Sequence, residues 1–451
     1  MKIIIVGCGK VGTTLAEQLN KEHHDIVIID KNAGVVNSIS ERIDVMGVVG
    51  NGAVNKVQMD AGIEDTDLLI ATTNSDELNM LCCLIAKKAG NCHTIARIRN
   101  PEYDSQIGYI REELGLSLAI NPEMAAAMEI ARLLRFPSAI KIDTFAKGKK
   151  EILKFIVPEH SVLNNMKVRD VLVRLKCNVL ICAIEHNSEV IIPGGDSIIS
   201  AGDKISFIAS PVESNEFFKQ VGIDNNVIKT AMLVGGGKIT YYVAKMLENT
   251  KIKVKILEQN AERCNELSEL LPRAMVINGD ASDQELLLQE GIGQTDAFAS
   301  LTGFDEENIM LSLYAASQSK AKLITKINRI AFENVIDSMN LGSIIYPKLI
   351  TAETILQYVR AMQNSMGSNV ETLYKIVADR AEALEFKVVN EPCIVGIPLE
   401  KLELKDNLLV AYIMRKGRFI SPRGKDTLEE GDRVIVVTTV TGLNDLKDIL
   451  R

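Results

Sequence analysis

The stretch "KIIIVGCGKVG", Lys2 to Gly12, has an echo in "TAMLVGGGKIT", Thr230 to Thr240. In both, a short apolar run ends in a Gly-x-Gly step and is followed by residues with helical spacing. Val11, Leu15 and Leu19 recur at four-residue steps, which puts them on one face of a helix. A strand that turns through glycines into a helix is the opening of a βαβ unit, and the question is how far the echo extends.

It extends along the whole chain. At an offset of 228, Gly7 falls on Gly235, Gly9 on Gly237, Leu19 on Leu247 and Asp30 on Glu258. At an offset of 229, "AGIEDTD" falls on "EGIGQTD" and "TNSDELNM" on "TGFDEENIM", and Arg97 meets Lys326. After a small deletion Pro122 meets Pro347 and Arg135 meets Arg360, and "PGGDSIISAGDKISFI" then meets "PRGKDTLEEGDRVIVV". The unit of about 225 residues is too long for a solenoid repeat and long enough for a pair of domains.

Within each copy the hydrophobic pattern changes character. Short β-rich runs at Ile3 to Val6, Ile26 to Ile29, Val45 to Val49, Leu68 to Ala71, Thr94 to Ile98 and Leu116 to Ile120 alternate with helical segments. Continuous apolar strands separated by helices imply a parallel sheet covered on both faces. The remainder, with strand-like "NVLICAIE", "EVIIP" and "DKISFIAS", reads as a small α+β module with antiparallel hairpins. The expected fold class is therefore α/β: two doubly wound, Rossmann-like domains with parallel sheets, each followed by a small α+β C lobe. The boundaries read as 1–135, 136–222, 228–362 and 363–451, with a polar bridge from Val221 to Thr230 between the halves. Pro122 to Phe136 and its counterpart near Ile350 to Met362 read as helices apolar on more than one face, which suits a buried helix or, as favoured here, one shared with another domain.

Composition narrows the function classes. The chain has 451 residues, is 47% hydrophobic and carries a formal charge of −8, which argues against nucleic acid or an anionic lipid surface as its main partner. No apolar run is long enough for direct membrane insertion, and the first is broken by Gly7 and Lys10 before it could act as a signal peptide, so a cytoplasmic location is expected. Eight cysteines without a CxxC pair suit a reducing compartment, and the five histidines offer no metal-ligand spacing.

A lone GxGxxG is a weak signal, but here Gly7, Gly9 and Gly12 follow a strand and open a helix, with Asp30 at the end of the second strand. Gly7 permits the tight turn, Gly9 lets the backbone approach a pyrophosphate, and Gly12 allows close helix packing. The helix N-terminus offers unpaired N–H groups to phosphate, and a carboxylate at position 30 accepts ribose hydroxyls while repelling a 2′-phosphate. NAD or NADH, or another adenine nucleotide with a free ribose, is the expected ligand. In the second copy Gly235 and Gly237 remain and Glu258 keeps the carboxylate, but Thr240 replaces the third glycine, which should push the helix from the sheet, and Lys326 replaces Arg97.

Catalytic equipment is missing. A dehydrogenase needs an acid/base beside the nicotinamide, usually backed by a substrate domain, and no histidine is repeated between the halves. The sequence thus reads as a nucleotide sensor, the alternative being an NAD-dependent oxidoreductase with an atypical substrate site.

With "MKIIIVGCGKVG", Asp30, "TTNSDELNM", "IARIRNPEY" and the duplicated order together, the chain resembles the peripheral subunits of bacterial Trk potassium uptake systems, built of two tandem RCK domains. The resemblance covers essentially the whole chain. It implies a regulatory subunit with no enzymatic activity, peripheral on the cytoplasmic face of the membrane. It also implies assembly as a homo-oligomer, a tetrameric ring, beneath a potassium-conducting membrane subunit, with NAD(H), ATP or ADP biasing the ring. Carried over by position, the nucleotide contacts would be Gly7, Cys8, Gly9, Lys10, Val11, Gly12, Asp30, Thr73, Asn74 and Arg97. The second set would be Gly235, Gly236, Gly237, Lys238, Ile239 and Glu258, with Thr302.

Overall fold

The computed structural model describes residues 1–451 except 146–149, 187–188, 224–227, 330–334, 337–338, 366–369, 378–379, 390, 441–442 and 444. The expected apolar runs become the strands β1 (Lys2–Val6), β2 (Asp25–Asp30), β3 (Met46–Val49), β4 (Leu68–Ala71), β5 (His93–Arg97) and β6 (Leu118–Ile120). They pair in parallel in the order β3-β2-β1-β4-β5-β6. Ile3 and Ile5 face one apolar layer and Ile4 and Val6 the other, so β1 is buried on both faces. That two-sided burial is why it reads as an unbroken apolar run.

The second half repeats this sheet strand for strand, with Met275–Asn278, Lys253–Glu258, Thr230–Val234, Ala297–Ser300, Lys322–Lys326 and Ser343–Ile345 as neighbours in that order. Both sheets change direction between their first and fourth strands, so each has a crevice beyond the carboxyl edge where open α/β sheets receive ligands. Thr230, placed by sequence in the bridge, is the first residue of the second half's first strand. Residues 224–227 of that bridge lie outside the described residues.

The smaller modules are five-stranded antiparallel sheets. In the first, Glu189–Ile191, Leu180–His186, Lys204–Ala209, Lys150–Ile156 and Lys141–Phe145 are successive neighbours, and the second has the same arrangement. Two of these strands, Lys141–Phe145 and Lys150–Ile156, were not legible as strands. The second of them buries charge where a pattern search expects apolar residues. Lys150 donates to Glu213 at 2.8 Å, Arg135 donates to Glu151, and Lys154 pairs with Glu185. Pairing removes the penalty that would otherwise keep such residues at the surface. Beneath them Phe155, Phe207, Phe217 and Phe218 form a ring cluster with centroids 4.8–6.0 Å apart. The two sheets face each other across a shared apolar layer that includes Ile152, Cys182, Ile208, Ala383, Ala411 and Val437.

Four helices join the halves: α1 (Lys10–Lys21), α2 (Pro122–Arg135), α3 (Lys238–Leu247) and α4 (Pro347–Ser365). α1 packs on α4, α2 on α3, and α2 on α4. Leu15 and Leu19 of α1 share one core with Ala352, Ile355, Leu356 and Val359 of α4. The two-faced helices are thus shared between the large lobes, in keeping with the apolar residues on more than one side. Arg360 of α4 closes this seam with a bidentate pair to Glu22, 2.6 and 3.1 Å.

Beside that pair His24 is 5% exposed, and neither ring nitrogen has a hydrogen-bond partner. Burial first, then the amino terminus and Arg360, pushes it down to about 4. Its folded pKa lies below the unfolded value of about 6.5, so between the two the unfolded chain binds the extra proton. Stability should therefore fall as pH drops from about 6.5 to about 4, by about 3 kcal/mol, and level off below. Denaturant melts of the wild type and His24→Gln across that window check this; the variant should show the flatter profile.

Candidate functional site

The site begins where β1 must reverse into α1 within three residues. Gly7 has φ +90, a left-handed conformation that a side chain resists, and an added Cβ would lie 2.7 Å from the Thr73 amide nitrogen. At Gly12 an added Cβ would overlap the Gly7 carbonyl oxygen. These two glycines are required by the fold itself. Gly9 is different. Its φ of −68 suits any residue, and nothing lies within 4 Å of the place its Cβ would take. Gly237 is alike, with φ −69 and the same open space. No packing reason within the described residues asks for glycine there, whereas a phosphate approaching the backbone would.

The carboxylates at the second strand ends close the turns. Asp30 accepts from the Cys8 amide at 2.7 Å and from the Asn32 amide at 2.9 Å. Glu258 does the same for Gly236 at 2.5 Å and Asn260 at 2.7 Å. Asp30 is thus a structural brace of the turn as well as a ribose acceptor candidate, since each carboxylate oxygen keeps a further lone pair. Cys8 is buried, and its thiol is pushed up to about 12 by burial and the nearby Asp30 charge, so it is no nucleophile. Val11 and Ile239 pack into the cores of their lobes, and Lys10 is exposed at the head of α1.

Thr240 does not act as expected. It is fully buried, and its hydroxyl donates to the Gly235 carbonyl oxygen. In the first half the equivalent oxygen, on Gly7, accepts from Thr72 at 2.9 Å. The residue matching Thr72 in the second half is Leu301, which has no hydroxyl, so the donor has moved from the strand end to the helix. The turn keeps its shape: Gly9 and Gly237 have ψ of −167 and −178. An added Cβ on Gly235 would lie 3.0 Å from Thr302 N, against 2.7 Å at Gly7, so the side chain is accommodated by a few tenths of an ångström.

Thr73 and Asn74 follow β4 at the crevice. The Thr73 amide and hydroxyl both contact Asn79 Oδ1 at 2.7 Å, and the Asn74 carbonyl accepts from Arg99 at 2.9 Å. Asn79 was not singled out by sequence, yet it is fully buried and donates to the Arg97 carbonyl at 2.8 Å, which ties the ends of β4 and β5 together. Asn308 repeats the device between Thr302 and Lys326, at 2.9 and 3.0 Å. Asp76 and Asp305, each almost fully buried, accept the two amides after their fifth strands, at 2.7 and 2.8 Å for Asp76 and 2.8 Å for both at Asp305. The signal was present in the repeated "SDELN" and "FDEEN". Arg97 itself is 9% exposed, its Nε lacks a partner, and burial, then Arg99, lowers its pKa.

Among the described residues no cluster of His, Cys, Asp or Glu could hold a metal, and no helix is long and apolar enough to cross a membrane.

This geometry defines a tandem pair of Rossmann-type α/β lobes. The chain belongs to the TrkA family: the TrkA-N domain matches residues 3–122 and 231–347, and the TrkA-C domain matches 152–222 and 383–451. It is 34% identical to the Trk system potassium uptake protein TrkA of Haemophilus influenzae, covering 100% of this chain and 97% of the relative. It is 33% identical to the Trk system potassium uptake protein TrkA homolog of Archaeoglobus fulgidus, over 100% of both. Among solved structures, the GsuK channel bound to NAD superposes with a TM-score of 0.63 at 16% identity, covering 97% of this chain and 76% of that one. The GsuK RCK domain gives the same score and identity over 97% and 92%.

Gly12→Ala should destabilise the first lobe by about 3 kcal/mol, because the new methyl meets backbone that cannot move aside. Thr240→Val, which loses one buried hydrogen bond and leaves the carbonyl unpaired, should cost about 1–2 kcal/mol. Chemical denaturation of the two variants measures the difference.

Proposed function

We propose that this chain is the cytoplasmic regulatory subunit of a Trk-type potassium uptake system, with lobes spanning 1–135, 136–222, 228–362 and 363–451. It assembles as a homotetrameric ring on the inner face of the membrane beneath a potassium-conducting subunit. NAD or NADH, with ATP or ADP as competitors, binds the first crevice through Gly7 to Gly12, Asp30, Thr73, Asn74 and Arg97. A second nucleotide binds at Gly235 to Ile239 and Glu258. The observation that carries this reading is the pair of glycines, Gly9 and Gly237, whose open surroundings serve an approaching ligand and not the fold. The matching turn geometry of the second copy supports a working site there.

The ligand acts by binding one arrangement of the lobes more tightly than another, which is the only way binding energy can move a conformational equilibrium. The shared helices α1 to α4 give it leverage, because the glycine turns sit at the ends of α1 and α3, directly on the seam between the lobes. Turnover is not part of the proposal: no histidine is repeated between the halves.

Gly9→Asp places a carboxylate in open space, so the chain should fold and assemble as the wild type does. It should lose at least about 100-fold in affinity at the first site, since a negative charge then faces the phosphates. Calorimetry with NADH, ATP and ADP, together with potassium flux through the reconstituted membrane subunit, tests this. Wild-type nucleotide affinity at the first site of Gly9→Asp would overturn the reading, as would steady NADH oxidation by the purified wild type, which would favour the oxidoreductase instead.

A further inference from the structure

The two glycine turns are braced by different donors at a second point. In the first half the Cys8 carbonyl accepts from the Thr13 hydroxyl at 3.0 Å, a donor on the helix that the turn itself opens. The residue matching Thr13 is Tyr241, and the matching carbonyl, on Gly236, is held instead by Arg263, whose Nε donates to it at 2.7 Å. Arg263 lies in the first turn of the helix Ala261–Leu270, which follows the second strand of its sheet. That helix presses on the glycine turn: an added Cβ on Gly236 would lie 2.7 Å from Leu267 Cδ1.

The two halves differ in charge at this place. Arg263 follows Glu258 by five residues, and the residue five after Asp30 is Val35, which packs against the apolar core of its lobe. The helices correspond there, because Asn260 caps the Arg263 amide and Asn32 caps the Val35 amide. One crevice therefore carries a guanidinium where the other carries a tucked-in isopropyl group.

A single peptide sets the position of that guanidinium. The Gly236 amide donates to Glu258 at 2.5 Å while its carbonyl accepts from Arg263. The cation thus flanks the carboxylate that receives a ribose in folds of this type. Arg263 Nη1 pairs with Glu266 at 2.6 Å, and the side chain is 25% exposed. The N–H bonds of a guanidinium lie in its plane, so two such partners fix the plane and leave its faces for contact. Its charge is already met by Glu266, and Glu258 and Glu266 together oppose an added phosphate on the ribose. The flat face is what remains to recognise a ligand.

We propose that Arg263 is the base-recognition residue of the second crevice: its guanidinium face stacks on the adenine of a nucleotide whose ribose is held by Glu258. A delocalised planar cation attracts the broad π-face of a purine more than that of a pyrimidine, so the second site selects for the base. The first site, with Val35 at the same place, has no such platform. This rests on the reading of a second nucleotide site above.

The test uses the full-length protein carrying Gly9→Asp, which takes the first site out of the measurement, and calorimetry with ADP and UDP. ADP should bind more tightly than UDP by about tenfold. Arg263→Lys keeps a cation and a donor for the Gly236 carbonyl but loses the planar face, and should bring that ratio within about threefold. Loss of ADP and UDP affinity by the same factor would make Arg263 a brace of the turn alone and overturn the proposal, as would an unchanged preference for ADP. Each variant is melted beside Gly9→Asp, so that an unfolded chain is not scored as equal loss. Arg263→Gln, which also keeps a donor for the carbonyl, gives the same readout should the lysine variant fail to fold. If the Gly9→Asp chain binds neither nucleotide, the second site itself falls and Arg263 with it, while the first site is judged separately on the wild type.

Discussion

The close approach of the first helix to the turn that precedes it governs this structure. Because Gly12 has no side chain, α1 can begin against the Gly7 carbonyl, and the turn places its free amides at the carboxyl edge of the sheet. Everything on the ligand side follows from that placement. Asp30 can then reach the Cys8 amide, and Gly9 is left facing outward with nothing over it. The second half reaches the same shape by another route, with a threonine on the helix supplying the hydroxyl that the first half draws from its fourth strand. A hydrogen bond conserved while its donor changes place is what a geometric requirement looks like when the residue is free to vary.

The lobes do not function as two beads on a string. Each has a buried sheet of its own, but the helices that open the glycine turns are also the helices that join the halves. The small modules add a second junction, sheet against sheet. A ligand at a turn therefore acts on a seam, and a change of angle there is carried to the small modules by the helices that lead into them. Coupling of this kind needs two packed arrangements of the seam, and needs no chain of intermediate contacts.

Much of this was readable in the amino-acid order. The β1 run and the glycine spacing marked the turn, and internal comparison marked the duplication, because fully buried parallel strands and glycine turns leave strong local patterns. Other features left none. The strand Lys150–Ile156 was obscured by buried charges whose partners, Glu213 and Glu185, lie far along the chain. Asn79 and Asn308 carried no mark of their own in the sequence, although both are fully buried. Thr240 was read as a defect, because the sequence does not show that Leu301 has given up a donor. The packing of α1 on α4 is a tertiary fact that periodicity cannot carry.

The covalent joining of the halves has a consequence of its own. Each large lobe meets its counterpart at an effective concentration fixed by the connecting chain, in the millimolar range for short tethers. The contact between them need not be tight to persist, and an interface of modest strength can separate at one end and re-form without its partner diffusing away. A tethered clasp of this kind is suited to reporting small changes in what it holds.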